Sequence, residues 1–138
     1  MLVEIQDKIT AALEELSEFK TTGVWQGEVD ELLKNPHNLP SAHVVFSSAE
    51  FDGPEETTIG AATASADMLW SVIIINQNLR DREASAKDSL ALIELVLAGL
   101  PRLDTGHGWL WPVRAQLIGV ENGKSSYGLH FAVASVTT

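Results

Sequence analysis

Cysteine is absent from the 138 residues. That excludes disulfides, thiolate metal ligands and a thiol nucleophile, and it fits a chain made in a reducing cytosol. Positive charge is scarce: nine Lys and Arg stand against 19 Asp and Glu, for a net charge of −10. A protein that grips phosphates carries the opposite balance, so specific nucleic-acid binding is not expected. A long apolar run is also missing. The longest stretch ends at Ile75 and is interrupted by Ser71, far short of the roughly 20 residues that cross a bilayer as a helix. The opening Met1-Leu2-Val3-Glu4-Ile5-Gln6-Asp7 has no basic start and no apolar core, so it does not read as a signal peptide. No membrane partner is expected.

What is present is an ordinary globular balance, 45% hydrophobic and 20% charged, in a length that suits one domain over residues 1–138 with one real core. The acid is unevenly placed. Residues 1–60 hold 12 of the acidic side chains and only three lysines. This is either a solvated acidic face or a surface that docks a basic partner or repels nucleic acid.

Periodicity supplies the elements. Leu2, Ile5, Ile9, Leu13, Leu16 and Phe19 recur at spacings of three and four, which predicts an amphipathic helix over residues 2–19, ended near Gly23. Residues 24–40 permit a short extended piece at Val24–Gln26, one or two helical turns over Glu28–Lys34 and then a loop, with no firm assignment. Ala42–Phe51 predicts a strand with Val44 and Phe46 on one face and Val45 on the other. Asp52–Glu56 reads as an acidic turn or mobile loop. Ala66–Gln77 is apolar on both faces, as a central strand covered on both sides should be. A second helix is expected over residues 83–98, with Ala86, Leu90, Ile93 and Leu97 as its stripe, widened by Ser89 and Val96, and with Gly99 and Pro101 as its stop.

The C-terminal segment predicts a hairpin. Trp109, Trp111, Val113, Ala115 and Leu117 share one face of its first strand, and Leu129, Phe131 and Val133 share one face of its second. Asn122-Gly123 suits a two-residue turn. Such a loop pairs Glu121 with Lys124 and sets odd positions opposite even ones, which would put the two apolar faces on opposite sides of the sheet. A three-residue loop over Glu121–Gly123 with a glycine bulge avoids this and is the expectation. Pro112 marks its strand as an edge or a bulge. The fold class expected is α+β: a mainly antiparallel sheet of four to five strands with two long helices on one or both faces, in the order helix, strand, strand, helix, strand, strand.

No catalytic constellation emerges. The four histidines, His37, His43, His107 and His130, lack metal-motif spacing, although His43 and His130 could meet across a sheet. There is no Gly-x-Ser-x-Gly and no phosphate loop around Gly53, Gly60 or Gly106-His107-Gly108. Paired acids such as Glu14-Glu15 and Glu55-Glu56 mean little in a chain this acidic. Neither a cofactor nor a metal is expected. Trp109 and Trp111 read as core, as core plus subunit interface or, if exposed, as a patch that seeks a partner.

The Leu2–Ile9 helix, the Met68–Ile75 strand, the helix ending Leu97-Ala98-Gly99-Leu100 and the Trp109–Val136 hairpin together resemble the small tail proteins of Mu-like phages and prophages, which are similar to tail terminator or tail-completion proteins. The resemblance implies a non-enzymatic virion protein that assembles in the host cytoplasm and then resides in the tail. It implies self-association into a ring, usually six-fold, which caps the tail tube, meets head-completion proteins and lets DNA pass. Glu50, Phe51, Asp52, Glu55 and Glu56 are the residues expected to form an interface or line that channel. The rivals are another virion part such as a head–tail connector or sheath-associated protein, a small ligand-binding domain or enzyme, and an acidic DNA mimic.

Overall fold

The structure is a computed structural model, and it describes residues 2–34, 38–51, 65–77, 82–101, 103–106, 108–121 and 123–137. Its elements in chain order are α1 (Leu2–Glu14), β1 (Thr21–Val24), α2 (Val29–Lys34), β2 (Ser41–Phe51), β3 (Ser65–Gln77), α3 (Arg82–Gly99), β4 (Leu110–Glu121) and β5 (Lys124–Thr137). The strands form one sheet in the order β1-β2-β3-β5-β4. All pairings are antiparallel except β1 with β2. A parallel pair needs a crossover, and here α2 lies in it. The α+β expectation holds; the undecided stretch over residues 24–40 supplies α2 and the last residue of β1, whose first three residues lie where the helix was expected to end.

β3 is central. Its even-numbered side chains, Met68, Trp70, Val72 and Ile74, are buried with Ile5, Ile9 and Leu13 of α1, with Leu92, Ile93 and Val96 of α3, and with Leu129, Phe131 and Val133 of β5. Both long helices therefore cover one face. On the other face, Ile73 and Ile75 pack with Leu32 and Leu33 of α2, flanked by Trp25, Leu39 and Val45. Lys124 closes this smaller layer by donating from Nζ to the Leu33 carbonyl, 3.1 Å away, where α2 runs out of internal partners for its last carbonyls.

Three expectations are corrected. α1 ends at Glu14, and residues 15–20 continue in tight turns, with Leu16 N bonded to Leu13 O and Phe19 N to Leu16 O. The apolar spacing runs on because Phe19 is still buried and Leu16 packs on the core, so periodicity outlasts the helix that it suggests. Gly23 lies within β1, opposite His43, rather than at a helix end.

The buried face of α3 is rotated from the expected stripe. Ser85, Ser89, Leu92, Ile93, Val96 and the following Leu100 face inward, whereas Leu90 is 55% exposed. Small serines tolerate this face, and Asn76 Nδ2 donates to Ser89 Oγ at 3.3 Å. Of the expected face, Ser89, Ile93 and Val96 are indeed buried, whereas Ala86 and Leu90 are exposed and Ser85 and Leu92 take their place.

The hairpin loop is the two-residue one: Glu121 pairs with Lys124, and Gly123 takes φ 72°, left-handed backbone that favours glycine. The parity conflict is real and is resolved inside β4. A bulge at Ile118 shifts the register between Leu117 and Gly119, so that Leu117 faces Tyr127 and Ala115 faces Leu129. A second bulge at Val113 shifts it back, so that Leu110 faces Val133 and is fully buried.

The rotation of α3 makes a direct comparison possible. Leu92→Ala should cost roughly 2–5 kcal/mol as a core truncation, whereas Leu90→Ala should stay within about 0.5 kcal/mol. Urea unfolding of the two variants checks the order, and the reverse order would refute the rotation.

Candidate functional site

The most unusual surface is β4. A 12-residue strand at the end of a sheet exposes one row of backbone N–H and C=O groups, and natural proteins normally blunt such an edge with charge, proline or bulges. β4 has Pro112, Arg114 and two bulges. Apart from these, Gln116 and the terminal Glu121, it is apolar and open. Trp111, Val113, Leu117 and Val120, with Trp109 just before the strand, are between 51 and 61% exposed, and Ile118 is 38% exposed. The two tryptophans are therefore not core, and the core role among these residues falls to Leu110.

The bulges decide which way these side chains point. Each one adds a residue and exchanges the faces of the strand. Trp111, opposite Ala132, thus lies on the sheet face away from the two long helices, whereas Leu117, opposite Tyr127, lies on the helix side. Both faces of the edge are apolar as a result. Gly128 makes room for the first bulge: a Cβ at that position would stand 2.8 Å from Ile118 Cδ1. Glycine inside a strand signals a bulge or a close approach, and Gly119 with Gly128 was the sign in the sequence that could have placed it. Before the strand, Thr105 Oγ1 donates to the Gly108 carbonyl at 2.7 Å and Gly106 N donates to Asp104 Oδ1 at 2.8 Å. The Lys8 ammonium on α1 reaches Asp104 O at 3.4 Å. These bonds hold the segment that presents Trp109.

On the sheet face away from α1 and α3, a polar chain links four strands. Ser47 Oγ and Ser71 Oγ are 2.6 Å apart, Ser71 Oγ lies 2.8 Å from His130 Nδ1, and Gln116 Nε2 lies 3.4 Å from His130 Nε2. With the Gln116 amide donating to Nε2, Nδ1 carries the proton and donates to Ser71, whose hydroxyl donates to Ser47. Burial, then the neighbouring Arg114 charge, hold the His130 pKa below its ordinary value, which favours this neutral form. A serine beside a histidine suggests a nucleophile pair, but the Ser71 hydroxyl is buried and no carboxylate bonds the ring among the described residues. The chain ties strands together.

His43 does not join it. His43 faces Ile73 and bonds Ser41 Oγ at 3.0 Å, whereas His130 faces Ser71. His37 and His107 lie outside the described residues, as do Asp52, Glu55 and Glu56. Glu50 and Phe51 are exposed at the end of β2, with Glu50 directly opposite Asp67, a like-charge pair that disfavours the isolated sheet. No group of three or more metal-ligating side chains occurs among the described residues, and no described helix is long and apolar enough to cross a membrane.

Comparison with known proteins adds three findings. Residues 5–131 match the family model described as "Phage tail terminator protein". No curated protein matches the chain. Among solved structures, a chain from "Virion of native gene transfer agent (GTA) particle" superposes with a TM-score of 0.51 at 17% identity, covering 97% of this chain and 92% of that one. At that identity the likeness is one of fold.

The His130 chain yields a pH signature. The ring's folded pKa lies below the unfolded 6.5, so as pH falls through 6.5 the unfolded chain binds the proton first. The contribution is therefore present above 6.5 and lost as pH falls toward the folded value. Between about pH 7.5 and 5, wild type should lose more stability than His130→Gln in urea unfolding; equal losses would exclude this role.

Proposed function

The chain belongs to the phage tail terminator protein family, and so is a structural, non-enzymatic component of the virion tail, and we propose that it works as a ring of identical subunits that caps the tail tube and joins it to the head. The single observation that carries the ring is the edge of β4: 12 residues with no strand beyond them among the described residues and apolar side chains exposed on both faces. An edge of this kind gains by extending or covering another sheet, and an apolar patch of this kind marks a protein contact. A ring lets every subunit make that contact without leaving an open end. Six-fold symmetry and the Mu-like affiliation are what the resemblance to the small tail proteins of Mu-like phages implies.

The partners in this reading are other copies of the chain, the end of the tail tube and the head-completion proteins. The ring forms in the host cytoplasm and passes into the virion. Its acidic half borders the channel, and Glu50 and Phe51, with Asp52, Glu55 and Glu56 of the adjoining segment, lie at a subunit interface or line the path of DNA. A negative lining repels the phosphate backbone and lets DNA slide without sticking.

Two measurements test this reading. Absolute mass by light scattering, over a concentration series with and without purified tail tubes, should show a ring or a complex that forms only with tubes; Trp111→Glu should reduce it to monomer while keeping its melting temperature. A wild-type monomer that ignores tubes at high concentration would sink the proposal. Neutralising Glu50, Asp52, Glu55 and Glu56 together should lower infectivity by impairing DNA passage or assembly, and normal infectivity would remove this cluster from the channel.

A further inference from the structure

A ring built through β4 needs a second, different surface to receive it, and the molecule has a candidate at the opposite end of the sheet. β1 pairs with only the first four residues of β2, Ser41 to Val44. Trp25 N makes one more bond, to Val44 O at 2.9 Å, and the chain then turns away at Gly27. From Val45 to Phe51 the outer edge of β2 has no strand partner among the described residues. Val24, Phe46 and Phe51 are exposed there. At the joint lies a cavity of about 330 Å³, lined by Gln6, Val24, Trp25, Val45 and Phe46.

We infer that the outer edge of β2 together with Val24, Trp25 and Phe46 is the acceptor for β4 of a second copy of this chain, so that subunits join head to tail. Charge favours this occupant. Residues 105–120 contain Arg114 and no acidic residue, and Arg114 is exposed. The acceptor side is acidic: Glu28, Glu31 and Glu50 are all exposed, and Glu31 Oε2 lies near Gly27, one of the residues that line the cavity. Pairing β4 with β4 across a two-fold axis would bring Arg114 toward its own copy and leave the acceptor patch bare. Head-to-tail pairing sets the arginine against acid and covers both apolar patches.

Placement favours it as well. β4 and β1 are the two ends of one five-stranded sheet, so donor and acceptor lie on opposite sides of the subunit. Such a heterologous contact closes into a ring when the rotation between copies permits, whereas a self-complementary edge would stop at a dimer. The strand beyond β1 is short of partners only where β1 ends, so the acceptor offers backbone groups and an apolar cavity at the same place. This matches strand addition, in which main-chain bonds supply affinity and pockets supply selectivity.

The inference rests on the ring reading above, and the test separates the two. Val24→Lys damages only the acceptor and Val113→Glu only the donor. Each should weaken self-association of the full chain by more than about tenfold, with an unchanged melting temperature as the folding control. Mixed in equal amounts, the two variants should form a dimer and nothing larger, because one intact donor then meets one intact acceptor. A charge exchange gives a route that leaves the apolar contacts alone: Arg114→Glu should weaken assembly, and adding Glu31→Lys to the same chain should restore it. If wild type forms rings but Val24→Lys still does, or the mixture stays monomeric, this acceptor is wrong while the ring stands. If wild type never exceeds a monomer even with tail tubes, both fall.

Discussion

Everything in this molecule is organised by β3, which must be covered on both faces. Its alternate residues are apolar in both directions, and it pairs with β2 on one side and β5 on the other. Burying Trp70, Val72 and Ile74 demands the two long helices, and burying Ile73 and Ile75 demands a second, smaller layer. That second demand accounts for α2, a helix of only six residues that would be unstable alone. It also accounts for the one parallel pairing in the sheet, since the chain must cross to the far face and return. Covering β3 uses nearly all the material available for layers, and little remains for the sheet's far end at β4.

β4 therefore carries a different burden. Its inner contacts are complete: Leu110 is buried against the core, and the Gln116–His130–Ser71–Ser47 chain fastens it across three other strands. Its outer contacts are open. The bulges at Val113 and Ile118 twist and kink the strand, which limits indiscriminate stacking of edges, while they distribute apolar side chains to both faces. An edge that is anchored inside, irregular in outline and apolar outside is suited to one specific partner. Such an edge is in keeping with membership of a structural tail family.

Much of this was legible in the sequence, for reasons that also mark the limits. β3, β5 and α1 were readable because their apolar residues recur with a clean period and the core that they enter is the large one. α2 and β1 were not, because elements of six and four residues are held by tertiary contacts rather than by pattern. The face of α3 was only partly readable: Ser89, Ile93 and Val96 are inward as expected, but Ser85 is inward too and Leu90 is exposed, and hydrophobicity alone cannot show that a small polar residue is buried in place of a leucine. For the hairpin, the expected three-residue loop was wrong: the loop is short, with Gly123 in left-handed backbone, and bulges at Ile118, where Gly128 leaves space, and at Val113 make like parities face each other only over Arg114–Leu117, so that Trp111 and Leu117 lie on opposite faces. The exposure of Trp109 and Trp111 could not be read at all, since an apolar strand with the same alternation serves equally as core or as contact surface. The acidic cluster was legible as charge, but only Glu50 and Phe51 of it fall among the described residues.

The most direct measurement is amide hydrogen exchange of the free protein and of the protein assembled on purified tail tubes, read over residues 110–120. If β4 is the contact edge, its outward amides exchange readily in the free subunit and become protected on assembly, because a neighbouring chain then supplies their acceptors. Exchange over 110–120 at the same rate in both states, with protection appearing elsewhere, would contradict the assignment of β4 as the seam.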